Sequence, residues 1–214
     1  MPEINRIARL FGIAAMGLIY AVLVHCVNVS GQPSTLGVVL AVFPILAIGL
    51  AMVARSGYRV AGIALFLATL IVTGLAWPLV ARHTGFIFWV QDVSLQIILL
   101  LTFGRTLQSG HTPICVEFAT MMHGPLSPRH QRYAHLVTIA WVIFFGVMAG
   151  ISTLLFFMAP LAIWSIFANF MILPLTALMF ALEYLVRRIL LPDVPPGHIL
   201  DAVRAYRNAS TRAH

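Results

Sequence analysis

Lysine is absent from the 214 residues, so all thirteen residues of the lysine and arginine class are arginines. That absence is a codon signature of a GC-rich genome rather than a mechanistic one. Charge of either sign is scarce, with charged residues at 9% and only six acidic side chains against 61% apolar residues. A soluble domain carries about 25% charged residues, so this composition excludes one, and recurring apolar runs near twenty residues place the chain among polytopic membrane proteins. The motif inventory lacks a G-x-S-x-G, a P-loop, an H-E-x-x-H and a dinucleotide fingerprint, leaving no catalytic signature to assign. No linker and no repeat between halves divides the chain, which reads as one domain over 1–214.

A helix rising about 1.5 Å per residue needs about 20 residues to cross roughly 30 Å of hydrocarbon. Six segments qualify, at about 10–29, 36–54, 60–80, 86–104, 136–156 and 161–186. The expected fold is therefore all-α, with six transmembrane helices. Twelve arginines fall on one side of that arrangement: Arg6, Arg9, Arg55, Arg59, Arg105, Arg129, Arg132, Arg187, Arg188, Arg204, Arg207 and Arg212. Arg82 stands alone on the other. The positive-inside rule makes the arginine-rich side cytoplasmic, with both termini, a loop at 105–135 and a tail at 187–214. A net charge of +7 spread as short flanks suits anionic headgroups rather than nucleic acid, which is not an expected partner. Cys26 and Cys115 then lie on opposite sides and cannot pair within one chain. The first span has no A-x-A site, and Leu23-Val24-His25-Cys26 is too bulky for a lipoprotein signal, so it reads as a retained helix. Asn28-Val29-Ser30 fits a glycosylation sequon, a pattern too short to carry weight alone.

The 105–135 stretch carries turns and polar residues of its own. Thr112-Pro113 is a helix start and Gly124 a stop, with Ile114, Phe118, Met121 and Met122 at helical spacing and Glu117 toward water. Two readings stay open there, an interfacial helix or a loop tucked under the bundle. Ser127-Pro128 repeats the start signal, so the fifth helix begins before the membrane and runs into it.

Ionisable groups inside a membrane cost at least about 2.5 kcal/mol when unpaired, which makes them the first functional candidates. Asp92 is the clearest, with Gln96 four residues on along the same helical face and His25 at comparable depth as a partner. Such a pair relays protons or holds a headgroup, or else serves as interhelical glue; glue is the plainer reading. Asn169 and Pro174 interrupt the sixth span, where proline removes a backbone bond and predicts a kink. Glu183 and Arg187 are spaced for an i,i+4 pair, an anchor. Gly146 and Gly150 permit close helix approach. His111, His123, His130 and His135 with Cys115 and Glu117 lack metal-ligand spacing, so no metal or other cofactor is expected. His198 and Asp201 in the tail are too sparse a motif to specify catalysis.

The runs Phe103-Gly104-Arg105-Thr106-Leu107, Phe118-Ala119, His123-Gly124, Val137-Thr138, Trp164-Ser165, Phe167-Ala168-Asn169, Met179-Phe180 and Glu183-Tyr184, with Gly110, Pro113, Tyr133, Trp141 and Pro192-Asp193, carry a resemblance. Over residues 103–204 they resemble a family of uncharacterised proteobacterial inner-membrane proteins encoded in aryl polyene and xanthomonadin-type pigment clusters. The resemblance implies a role in making or moving an aryl polyene lipid, but no catalytic residues. Two function classes follow. One is an accessory protein that docks an acyl carrier protein or polyene synthase at Arg105, Glu117, Arg129 and Arg132. The other is a lipid transporter or intramembrane transferase built on Asp92, Gln96, His25 and Asn169.

Overall fold

The computed structural model describes residues 2–54 and 56–191; Arg55, the His198 and Asp201 pair, and Arg204, Arg207 and Arg212 lie outside the described residues. Among those described there are helices and turns and no strand. In chain order the helices are α1 (Pro2–Ser30), α2 (Thr35–Val53), α3 (Arg59–Leu75), α4 (Trp77–Arg82), α5 (Thr84–Arg105), α6 (Ile114–His123), α7 (Pro128–Met158), α8 (Leu161–Ile166) and α9 (Ile172–Leu190). Five helical stretches are long and apolar enough to cross a membrane: Phe11–Ser30, Thr35–Val53, Thr84–Arg105, Pro128–Met158 and Leu161–Leu190.

The segment expected to cross at 60–80 is different. It breaks at Ala76 (φ −104°, ψ 24°) into a 17-residue α3 and a six-residue α4. Pro78 is the cause: it has no N–H to donate back, and its ring collides with the carbonyl one turn earlier, so the chain restarts with Pro78 in the first turn of α4. Pro44 has a milder effect inside α2. It strands the Leu40 carbonyl, and the Tyr20 hydroxyl donates to that oxygen at 3.1 Å.

Polarity is distributed inside out. Thr138, Ser152 and Ser165 are wholly buried, whereas Phe11, Leu75 and Met158 are 73%, 83% and 81% exposed. In water such an apolar exterior would aggregate; in lipid it is the stable arrangement, since hydrocarbon solvates the side chains and only the interior can satisfy polar groups.

Two compact units share the chain, Met1–Asp92 with Ser152–Ile172, and Val93–Ile151 with Leu173–His214. In the first, Val24, Val27, Leu40, Ala41, Phe88 and Trp164 form the buried core. There α2 and α3 meet backbone to backbone at glycines: a Cβ on Gly62 would sit 2.6 Å from the Val53 nitrogen and 2.7 Å from the Gly49 carbonyl. Gly146 and Gly150 do not mark such a contact, because a Cβ on Gly146 meets only a Leu100 methyl at 3.3 Å and one on Gly150 meets nothing. In the second unit Trp141 packs against Phe103, Phe144, Phe145 and Phe180.

The segment between α5 and α7, for which the sequence allows a helix or a loop, contains a true helix. Its start differs from the sequence expectation, because Pro113 rather than Thr112 occupies the cap position and offers no side-chain acceptor. Two threonines from elsewhere substitute: the Ile114 N–H donates to the Thr106 hydroxyl at 3.1 Å and the Cys115 N–H to the Thr138 hydroxyl at 3.3 Å. Gly124, at φ 76°, ends the helix in a conformation that L side chains rarely adopt. Ser127 caps α7 as its spacing predicts, accepting from the His130 N–H at 3.4 Å.

Candidate functional site

In the first unit the polar side chains gather on two adjacent residues of α8. Trp164 Nε1 donates to the Ser152 hydroxyl at 3.0 Å, and that hydroxyl donates onward to Asp92 Oδ2 at 2.5 Å. Asp92 therefore has its polar partner on another helix, but the partner is Ser152 and not His25. A hydroxyl that accepts from an indole and donates to a carboxylate satisfies both.

His25 is engaged elsewhere. Its Nδ1 lies 3.1 Å from the Ser165 hydroxyl, and its ring meets Phe170 edge-on with centroids 5.6 Å apart. The same hydroxyl accepts from Asn28 Nδ2 at 3.2 Å and from Asn169 Nδ2 at 3.1 Å. Two donors occupy its lone pairs, which leaves the hydroxyl proton to face His25 Nδ1. Asn169 also donates to the Ser165 carbonyl at 2.8 Å. It lies in a π-helical turn, Phe167–Met171, that replaces the α-helical hydrogen bonding just ahead of Pro174. The expected disruption of this helix thus takes the form of a wider turn, one of the recognised responses to a lost backbone donor. Asn28 Oδ1 is buried with no partner among the described residues. Gln96 is buried as well, 4% exposed, and belongs to the second unit.

The second unit holds a half-open cavity of about 570 Å³ lined by α6, α7 and α9. Phe118, Val137, Trp141 and Phe180 supply much of its apolar wall; Tyr133, Glu183, Arg187 and His130 supply polar groups. The Tyr133 hydroxyl sits 3.0 Å from the Glu183 carbonyl and 3.2 Å from its Oε1, so α7 grips α9 at Glu183 through one proton placed between the two acceptors. The i,i+4 pair forms, with Arg187 Nε 3.8 Å from Glu183 Oε1, and the guanidinium lies 5.8 Å from the Tyr184 ring centroid. Cys115 also borders the cavity, its thiol pushed above the ordinary range by burial, with Glu183 adding to the shift and the Thr138 hydrogen bond opposing it.

The four residues expected on the cytoplasmic surface separate. Arg105, Glu117 and Arg132 are exposed. Arg129 donates through Nη2 to the Leu190 carbonyl at 2.8 Å, closing the end of α9. Arg132 borders a more open recess that also involves His111, Gln131 and His135. Among the described residues no three histidine, cysteine, aspartate or glutamate side chains converge as metal ligands would.

Sequence reasoning missed Ser152, Ser165 and Tyr133. A lone serine in an apolar helix has no periodic signature, and its significance appears only when its neighbours are known. Compared with known protein families, curated proteins and solved structures, the chain matches none.

Proposed function

We propose that this is a six-pass bacterial inner-membrane protein, with both termini and the 105–135 segment in the cytoplasm, that supports assembly of an aryl polyene lipid as an accessory rather than as the catalyst. The orientation rests on the arginine distribution. The third crossing is the broken pair α3 and α4: seventeen residues rise only about 25 Å, and α4 supplies the remainder. The link to pigment assembly rests on the resemblance over residues 103–204.

The observation that carries the docking role is the construction of α6. Its first two N–H groups are tied to Thr106 and Thr138, so the segment bearing Arg105, Glu117 and Arg132 is a fixed shelf rather than a loose loop. Exposed arginines on such a shelf steer an acidic partner, an acyl carrier protein or a synthase, by complementary charge. Arg129 is withdrawn from that surface by its bond to Leu190. Charge reversal at Arg105 and Arg132 is expected to weaken association with an acidic carrier protein, and added salt to weaken it further. Equal binding by the reversed variant contradicts docking.

A second reading, transport or intramembrane transfer of the finished lipid, draws support from the unpartnered Asn28 Oδ1 beside Ser165 and from the π-helical turn at Asn169, since such turns recur at functional sites. Deleting the gene separates the two. Polyene lost or stalled on its carrier supports assembly, finished lipid trapped in the inner membrane supports transport, and unchanged pigment rejects both.

A further inference from the structure

The cavity between α6, α7 and α9 is built like a ligand site: its volume of about 570 Å³ lies in the range of about 300–1,000 Å³ that holds small molecules, and apolar walls surround a few placed polar groups. We propose that it binds a long-chain carboxylic acid, with the acyl chain against Phe118, Val137, Trp141 and Phe180 and the carboxylate on Arg187. This inference does not depend on the pigment role.

Size sets the first constraint. At about 30 Å³ for each water-sized group the cavity holds roughly twenty such groups, the scale of one acyl chain and its head and too little for a diacyl phospholipid. The wall sets the second. Trp141 and Phe180 lie with centroids 4.7 Å apart, and Phe118 and Val137 extend an apolar surface with no hydrogen-bonding groups for a polar tail to meet.

The head group follows from what the polar residues have left over. Glu183 is held by the Tyr133 hydroxyl, and Arg187 Nε stands 3.8 Å from its Oε1, too long for a hydrogen bond. A guanidinium presents five donors in a planar fork, so this contact leaves an edge able to take a second carboxylate in bidentate fashion. Glu183 opposes a second negative charge, and two features offset it. The Tyr133 hydroxyl lies 3.2 Å from its Oε1, and His130 lines the cavity wall, where its second ring nitrogen is a donor in the tautomer whose Nδ1 accepts from the Ser127 hydroxyl.

The test is photo-crosslinking of the full-length protein in lipid nanodiscs with a diazirine-bearing palmitic acid, followed by mapping of the adducts. Adducts are expected on Phe118, Val137, Trp141 or Phe180, suppressed by excess palmitate and not by methyl palmitate or hexadecanol. Arg187→Gln should reduce labelling about tenfold, the scale of one charge-assisted hydrogen bond, and Val137→Trp, which fills the cavity, should abolish it. Labelling confined to lipid-facing positions overturns the site. Methyl palmitate or hexadecanol competing as well as palmitate, or full labelling of Arg187→Gln, overturns the carboxylate. A diazirine phosphatidylglycerol that labels the same residues against excess palmitate assigns the cavity to membrane lipid and overturns the proposal.

Discussion

Ser152 and Cys115 show how much a single side chain decides in an interior that offers few polar groups. Ser152 joins the Asp92 carboxylate to the Trp164 indole, and it is fully buried. Ser152→Ala leaves both partners unsatisfied, which costs about 1–3 kcal/mol for a buried group. Unfolding of the detergent-solubilised protein should register that loss. Asp92→Asn should lose less, because the amide oxygen still accepts; wild-type stability for Ser152→Ala would contradict the network. Cys115 gives a pH test. With its thiol raised by burial and by Glu183, the reactive thiolate forms only above the pH at which an ordinary cysteine ionises. Maleimide labelling in a Cys26→Ser background should therefore rise late with pH, and Glu183→Gln should move that rise to lower pH. An unshifted profile would exclude Glu183 as a contributor. Asp92 was legible from sequence as an intramembrane charge, but its partner was not. Which hydroxyl meets a carboxylate depends on which helices are neighbours, and no local pattern encodes that.

At the scale of elements, apolar length and turn residues carried most of the information. Five helices follow from runs of about twenty apolar residues, and α6 and α7 begin and end close to where Pro113, Gly124 and Ser127-Pro128 place them. The broken third segment was written in Pro78, a signal that the surrounding hydropathy overrides in a sliding window. The close contact of α2 with α3 was less visible, since the glycines that make it, Gly49 and Gly62, belong to no G-x-x-x-G. Gly62→Ala tests it. The added methyl falls within 2.9 Å of three atoms, two of them backbone, so overpacking of about 1–3 kcal/mol is expected. Gly150→Ala, with open space around it, should be neutral. Equal effects at the two positions would contradict the assignment of the glycine contact.

For the whole molecule, the arginine asymmetry is the strongest physical argument, because it spans every loop while no single residue dominates it. The proposed orientation needs an even number of crossings, so in that proposal α3 and α4 together traverse the bilayer although α3 alone falls short. The proposed cytoplasmic placement of α6 and of the exposed Arg105 and Arg132 at the neighbouring ends of α5 and α7 depends on that crossing, as does the docking role. The most direct test is a set of reporter fusions after Ser30, Gly57, Arg82 and His111 in the intact cell. Alternating periplasmic and cytoplasmic signals, with Ser30 and Arg82 outside and Gly57 and His111 inside, is the predicted result. A periplasmic signal at His111 would contradict it and remove α6 from the compartment in which a carrier protein could reach it.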